Sequence, residues 1–308
     1  MPLIPVGGGR YSKGDTLAWQ LRKTTGATMT WLIYLLGILL VVVVGLAVSR
    51  ALDHRADQMA WERLIAGQAV QTRTFNASMT AGLPEPARRY LNFTIAQGTP
   101  LCTAVEIDMT GEIGLGSKDA PGYRDMAARQ ILAPPHGLVW KMKTGPIGGS
   151  DSALPDKSWT RLWLFGLIPI VRASGPDHHR SAFGRVVAEG AFWTPASLLP
   201  GEFVRWKPID DNSARAVVTV GHFEQAVDVT VDEAGAPTMV VIRRWSNANP
   251  EQVYREQPFG GHLSGFREFG GYRLTTRVEG GNLIGTPDYF SFFKAEVSAI
   301  RFPRRVDP

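Results

Sequence analysis

The residues able to do acid–base or metal chemistry are few, and their spacing suits it poorly. Six histidines occur, His54, His136, His178, His179, His222 and His262. His178 and His179 are adjacent, and neighbouring side chains on a helix diverge by about 100°, so the pair does not converge on one ion. No H-E-x-x-H motif is present. Asp210-Asp211-Asn212-Ser213 lies between two strand-like runs, where short polar side chains satisfy turn backbone. Glu202, Glu256 and Glu268 are candidates for a convergent carboxylate group that spacing alone does not establish. Ser264 follows His262 closely within Gly260-Gly261-His262-Leu263-Ser264-Gly265, but the run is not G-x-S-x-G and lacks the strand-to-helix setting of a nucleophile elbow. It reads instead as a strand with bulges. Neither phosphate-loop pattern, G-x-x-x-x-G-K-[ST] or G-x-G-x-x-G, occurs. The single cysteine, Cys102, excludes an intrachain disulfide and a cysteine zinc site, and its strand-like setting reads as a small buried hydrophobe. The expectation is no catalytic residue, no metal and no cofactor. A hydrolase using His262 or His136 with a nearby carboxylate is the enzyme alternative.

The apolar content says more. Leu162 to Val171 are ten consecutive nonpolar residues, too few to span a bilayer and interrupted by Gly166 and Pro169. One reading is a strand buried on both faces and covered by the helix that follows. The other is the wall of a cavity for an acyl chain, shared with Trp140, Trp193, Phe203 and Trp206, since apolar walls gain ~25 cal/mol per Å² of ligand surface buried. On that second reading Trp163, Phe165, Leu167, Phe183 and Trp206 line the site, with Arg172 and Arg205 near its mouth for an anionic headgroup.

These residues must be positioned by a mostly antiparallel sheet. Val227, Val229 and Val231 alternate with Asp228, Thr230 and Asp232, the pattern of a half-buried strand, and Asp232–Gly235 turns into a second strand over Pro237–Trp245. Further strands are predicted over Leu101–Ile113, Gln130–Leu132, Gly137–Thr144, Tyr272–Glu279 (Arg273, Thr275, Arg277 and Glu279 outward) and Lys294–Phe302. They follow one another at short intervals without helices between them, which argues for antiparallel pairing. Ser174-Gly175-Pro176-Asp177 starts a helix, Phe183, Val186, Val187 and Ala191 give it one apolar face, and Gly190 suits its end. A shorter helix is predicted near Leu83–Leu91, with Pro86 in its first turn.

Trp31–Val48 carries no charge, and its eighteen residues span about 27 Å as a helix, close to the thickness of a bilayer's hydrocarbon. It is longer than the apolar stretch of a signal peptide. Arg10, Lys13, Arg22 and Lys23 precede it and Arg50, Arg55 and Arg63 follow, a small excess that favours a cytoplasmic N-terminus. Met29 is an alternative start that would remove the preceding charges. The net charge is +5, but arginine is scattered rather than gathered into one stripe, which excludes a nucleic-acid reading in favour of a mild attraction to anionic headgroups.

Four segments, Leu83–Leu91, Leu167–Pro176, Trp193–Pro200 and Val204–Ala216, together with the C-terminal strands, resemble an uncharacterised family of bacterial membrane-anchored proteins catalogued as a domain of unknown function. The resemblance covers most of residues 83–302 and implies no catalytic residue. At the level of fold it implies similarity to periplasmic lipoprotein carriers, in which helices plug one face of a curved sheet.

The expected fold class is therefore mainly β (α+β), a curved antiparallel sheet or half-barrel with helices on its concave face, plus one N-terminal transmembrane helix. The expected division is a cytoplasmic or disordered tail at 1–28, a transmembrane helix at 29–49, a helical linker at 50–80 and a β-rich domain at 81–305. The expected function is an extracytoplasmic binding domain for a lipid or other apolar ligand, tethered through residues 31–48 to the inner (cytoplasmic) membrane. An envelope-complex scaffold binding protein through a sheet edge is the further alternative. No particular protein partner is implied.

Overall fold

A computed structural model of the chain describes residues 13–68 and 73–303. The first twelve residues of the expected tail, residues 69–72 of the expected linker and residues 304–305 lie outside the described residues. Helix α1, Lys13–Ala66, runs through the apolar segment and on into the expected linker. By contacts the chain divides into two compact units, residues 1–52 and 53–308. In the first unit, the apolar part of α1 is long and hydrophobic enough to cross a membrane, and its side chains are exposed.

The second unit is built on one open antiparallel sheet of thirteen strands, β1 (Val105–Gly114), β2 (Tyr123–Ala133), β3 (Gly137–Thr144), β4 (Ile147–Ala153), β5 (Ser158–Leu164), β6 (Ile168–Ala173), β7 (Val204–Pro208), β8 (Ser213–Val220), β9 (Phe223–Val231), β10 (Pro237–Ser246), β11 (Arg255–Phe269), β12 (Tyr272–Asn282) and β13 (Phe290–Arg301). Their order is β6-β5-β4-β3-β2-β1-β13-β12-β11-β10-β9-β8-β7, so β6 and β7 are the free edges. Helix α2 (Glu85–Thr94) and helix α3 (Pro176–Trp193) pack on one face over the main apolar core. The sheet is a meander of short connections except between β6 and β7, where α3 crosses over, and α3 touches strands on both halves of the sheet.

The alternation expected for Val227, Val229 and Val231 is present, all three being buried on the α3 side. Neighbouring β2 and β3 are buried on both faces. Leu132, Leu138 and Trp140 join the main core, whereas Ile131 and Val139 join a second cluster with Ala60, Leu64 and Trp159. That second cluster exists because α1 beyond residue 52 lies on the opposite face of the sheet, an arrangement not expected from the sequence, which put the helices on the concave side. Asp53, Asp57, Ala60, Leu64 and Gln68 form its buried stripe at helical spacing. Asp53 accepts from Arg172 at 2.8 and 3.0 Å and pairs with Arg161 at 3.1 Å. Asp57 accepts from Ser150 Oγ at 2.7 Å and Trp159 Nε1 at 3.1 Å. Asp57→Ala strands the Ser150 hydroxyl in a buried interface and leaves Trp159 Nε1 only the longer bond to Ser150 Oγ at 3.3 Å, so chemical denaturation should show a loss of about 1–3 kcal/mol.

Four local expectations change. The apolar run Leu162–Val171 is not one buried strand: Phe165 and Gly166 take positive φ (51° and 69°), the chain reverses, and β5 and β6 form a hairpin at the sheet edge with β6 largely exposed. The strand expected from Leu101 begins only at Val105, because Cys102 N–H is claimed by Tyr272 Oη at 2.8 Å and Leu101 N–H by Arg73. Gly190 lies inside α3 rather than at its end, where a Cβ would come within 3.2 Å of Pro134. Thr275 points inward, its hydroxyl donating to the Ser264 carbonyl at 2.7 Å.

Candidate ligand-binding cavity

Two glycine pairs prepare a hollow in the sheet. In the register of β11 with β12, Gly260 lies opposite Gly281 and Gly261 opposite Gly280. Four neighbouring positions therefore carry no side chain, and glycine in a strand interior marks a site where other groups approach the backbone. Above this bare patch α3 presents Ala188, Phe192 and Trp193, and between them lies a cavity of about 240 Å³. Trp140, Val278, Phe259, Phe292 and Phe293 complete its apolar wall. No side chain can be added at Gly260 without moving β10, because a Cβ there would stand 2.1 Å from the Val240 carbonyl oxygen.

One end of the cavity is charged. Asp151 from β4, Arg185 and Glu189 from α3, and Arg244 from β10 all line it. Arg185 donates to both carboxylates, through Nη1 to Asp151 and through Nε to Glu189, and Gln130 donates to the second oxygen of Glu189. Burial acts to lower the Arg185 pKa, but the adjacent Glu189 and Asp151 more than offset it and hold the guanidinium above its ordinary value. Its guanidinium also lies 5.1 Å from the Trp140 ring centre.

Arg244 is placed differently. Its Nε donates to the Ser181 carbonyl and hydroxyl at 3.2 and 3.1 Å, and its guanidinium covers the Phe259 ring at 4.6 Å. Among the described residues no carboxylate pairs with it, and both nearby carboxylates are engaged by Arg185. Burial, with the Arg185 charge as the second cause, pushes its pKa down to about 10. Trp140 lines the same space through its ring and is 7% exposed, and its Nε1–H is buried without an acceptor behind that wall. The cavity thus offers apolar walls and an arginine without a carboxylate partner among the described residues, which suits a small molecule with an apolar body and an acceptor at one end.

Beside this end runs a polar relay. Thr160 Oγ1–H donates to Asp151 Oδ1 at 2.7 Å, which leaves the Thr160 oxygen to accept from His178 Nε2 at 2.9 Å. His178 Nδ1 then accepts from Ser158 Oγ at 2.7 Å, so the neutral imidazole fits the network. The serine, histidine and aspartate suggest nucleophilic catalysis, yet Ser158 is buried and lies outside the wall of this cavity. Burial lowers the His178 pKa, partly opposed by Asp151. A histidine whose folded pKa lies below its unfolded value stabilises the fold above the unfolded pKa, and that stability is lost as pH falls through it. Thermal unfolding should therefore show a Tm that falls as pH drops below about 6.5, with a smaller fall in His178→Gln.

The residues singled out from the sequence are not gathered into one wall. Trp163 is buried in β5 beneath Arg172, whose guanidinium sits 5.5 Å from its ring. Arg172 is held by Asp53, and both residues belong to the α1 side of the sheet. Phe165 is 76% exposed and Leu167 half-buried at the β5–β6 turn. Phe183 stacks on Phe223 at 5.1 Å and lines a separate hollow of about 160 Å³ that also meets His136, His179 and His222. Trp206, half-buried in edge strand β7, donates to the Leu198 carbonyl at 2.8 Å, and Arg205 beside it is exposed. Trp140 and Trp193 do line the main cavity. Glu256 and Glu268 are twelve residues apart on β11, about 40 Å along a strand, and do not converge. Asp210 serves a turn, accepting from the Asn212 N–H. Among the described residues no group of His, Cys, Asp and Glu is placed to hold a metal. Sequence reasoning does not single out Arg185, Arg244 or the glycine pairs; the signal lies in Gly260-Gly261 and Gly280-Gly281, whose pairing depends on the register of β11 with β12.

Fold and cavity together define an α+β protein of one open antiparallel sheet whose crossing helix roofs an amphipathic hollow. The chain belongs to DUF6544, a family of unknown function whose model matches residues 73–295. Comparison with curated proteins gives no match. Among solved structures, the chain is similar to a LolA superfamily protein from Nitrosomonas europaea, at 10% identity over 74% of this chain and 96% of that one, with a TM-score of 0.38. It is also similar to a DUF1329 family protein from Desulfovibrio piger, at 9% identity over 72% and 92%, with a TM-score of 0.37.

Proposed function

We propose that this chain is a membrane-anchored binding module whose cavity holds a small single-chain amphiphile. The apolar body lies against Ala188, Phe192, Val278 and Phe292, and its acceptor head takes the outer guanidinium donors of Arg244, whose Nε alone is bonded to Ser181. The observation that carries this reading is the coincidence, in one hollow, of an apolar wall with a guanidinium, that of Arg244, which no carboxylate among the described residues pairs. A volume of about 240 Å³ is below the usual range for drug-sized ligands, so the occupant is one short chain or the end of a longer one. The part of α1 near Trp31–Val48 is the anchor, and the small excess of basic residues before it supports an extracytoplasmic position for the sheet domain.

Native mass spectrometry of the full chain released from lipid nanodiscs tests the reading. Wild type should retain a single-chain amphiphile, and Ala188→Phe, which fills the hollow, should lose it while unfolding at a temperature close to wild type. Retention of the same molecule by a folded Ala188→Phe variant contradicts the placement.

A further inference from the structure

The edge hairpin of β5 and β6 exposes a group of apolar side chains that no packing explains. Phe165 at its tip is 76% exposed, and Ile168, Ile170 and Val171 on β6 are exposed as well. Phe165 takes a positive φ there, a conformation unfavourable for a bulky side chain, so the turn holds an aromatic outward at a cost in strain. The ion pairs of Asp53 with Arg161 and Arg172 fix this hairpin to the first residue of the folded unit. From Asp53 the helix follows the sheet away from the hairpin tip. Asp57 meets Ser150 and Trp159 in β4 and β5, and Arg63 meets Asp156 in the β4–β5 turn, at the opposite end of these strands. The chain therefore enters the folded unit from the side on which the tip lies.

The reach can be bounded from covalent geometry. Val48, the last residue of the apolar segment, is five residues before Asp53, a span of at most about 18 Å. Phe165 is four strand residues beyond Arg161, about 13 Å. We propose that the β5–β6 hairpin is a second membrane contact, with Phe165, Ile168 and Ile170 seated in the headgroup region of the bilayer that holds the anchor. Phenylalanine and aliphatic side chains of membrane-surface elements sink to the boundary of headgroups and acyl chains. Burial of the β6 side chains there also removes an exposed apolar sheet edge from water, which otherwise recruits other chains. This inference rests on the anchor reading, and the test separates the two.

The full chain carrying Cys102→Ala is reconstituted in vesicles of neutral phospholipid with a share of anionic phospholipid. An environment-sensitive fluorophore is attached through Phe165→Cys, Val44→Cys or Glu233→Cys, one per sample. Positions 165 and 233 are exposed, so the label does not disturb packing. Lipids bearing a nitroxide near the headgroup should remove most of the emission at position 165, and aqueous iodide little of it; position 233, in the β9–β10 turn, should behave in the opposite way. Free access of iodide to position 165 overturns the proposal. So does a label shielded from both quenchers, which would mean that protein covers the edge. Position 44 tells whether the anchor reading falls too: quenching there by a nitroxide deep in the acyl chains leaves the anchor standing when the hairpin contact fails.

Discussion

Arg185→Met is expected to destabilise the fold by about 3–5 kcal/mol, measured by chemical denaturation of the sheet domain's tryptophan signal. The size follows from what the substitution leaves behind. Arg185 is the shared donor between Asp151 and Glu189, and these three side chains are all largely buried between α3 and the sheet. Methionine keeps the apolar stem but leaves two carboxylates facing each other without a cation in their midst. Replacing Asp151, Arg185 and Glu189 together by apolar residues of similar volume should cost far less than the single change, because desolvated charge is removed rather than orphaned. A single Arg185→Met variant as stable as wild type would mean that water reaches this cluster freely.

Arg244→Met should behave in the opposite sense, although the two arginines share one cavity. Among the described residues Arg244 has no carboxylate partner, and its surroundings disfavour its charge, as the pKa pushed down to about 10 reflects. Removing it should change the stability of the empty protein by no more than about 1 kcal/mol, the net value of its bonds to Ser181. Amphiphile binding should weaken by about 2–5 kcal/mol, the range for truncating one partner of a buried charged hydrogen bond, or roughly 30-fold and upward in Kd. Titration calorimetry with a medium-chain carboxylate reads the second effect and thermal unfolding the first. Arg244→Lys keeps the charge but loses the planar donor fork, and should recover only part of the affinity.

Much of the framework was legible in the sequence because its signals are local. Period-two valines in β9, the turn at Asp232–Gly235 and the Pro176–Asp177 helix start each act within a few residues, and each gave the element observed. Family membership was legible for the same reason, since four ordered segments lie within the matched residues. The cavity was less legible, because it forms only when β11 and β12 are in register and bring two distant glycine pairs side by side. A glycine pair in one strand reads as a bulge until its partner is known. The nonpolar run Leu162–Val171 misled for a related reason: hydrophobicity alone does not distinguish a central strand from an edge hairpin, and the positive φ at Phe165 and Gly166 decides it. The buried acids of α1 were invisible as core because Asp53 and Asp57 have their partners about a hundred residues away in β4, β5 and β6.

Photocrosslinking tests the cavity most directly. The full chain in nanodiscs is exposed to a single-chain carboxylate bearing a diazirine near its methyl end, irradiated, digested and mapped by mass spectrometry. Adducts should concentrate on the peptides carrying Phe192, Val278 and Phe292, should be competed by the unmodified carboxylate, and should fall sharply in Ala188→Phe and Arg244→Met. Adducts confined to α1 and the β5–β6 hairpin, unchanged in those two variants, would mean that the hollow beneath α3 holds no ligand of this class.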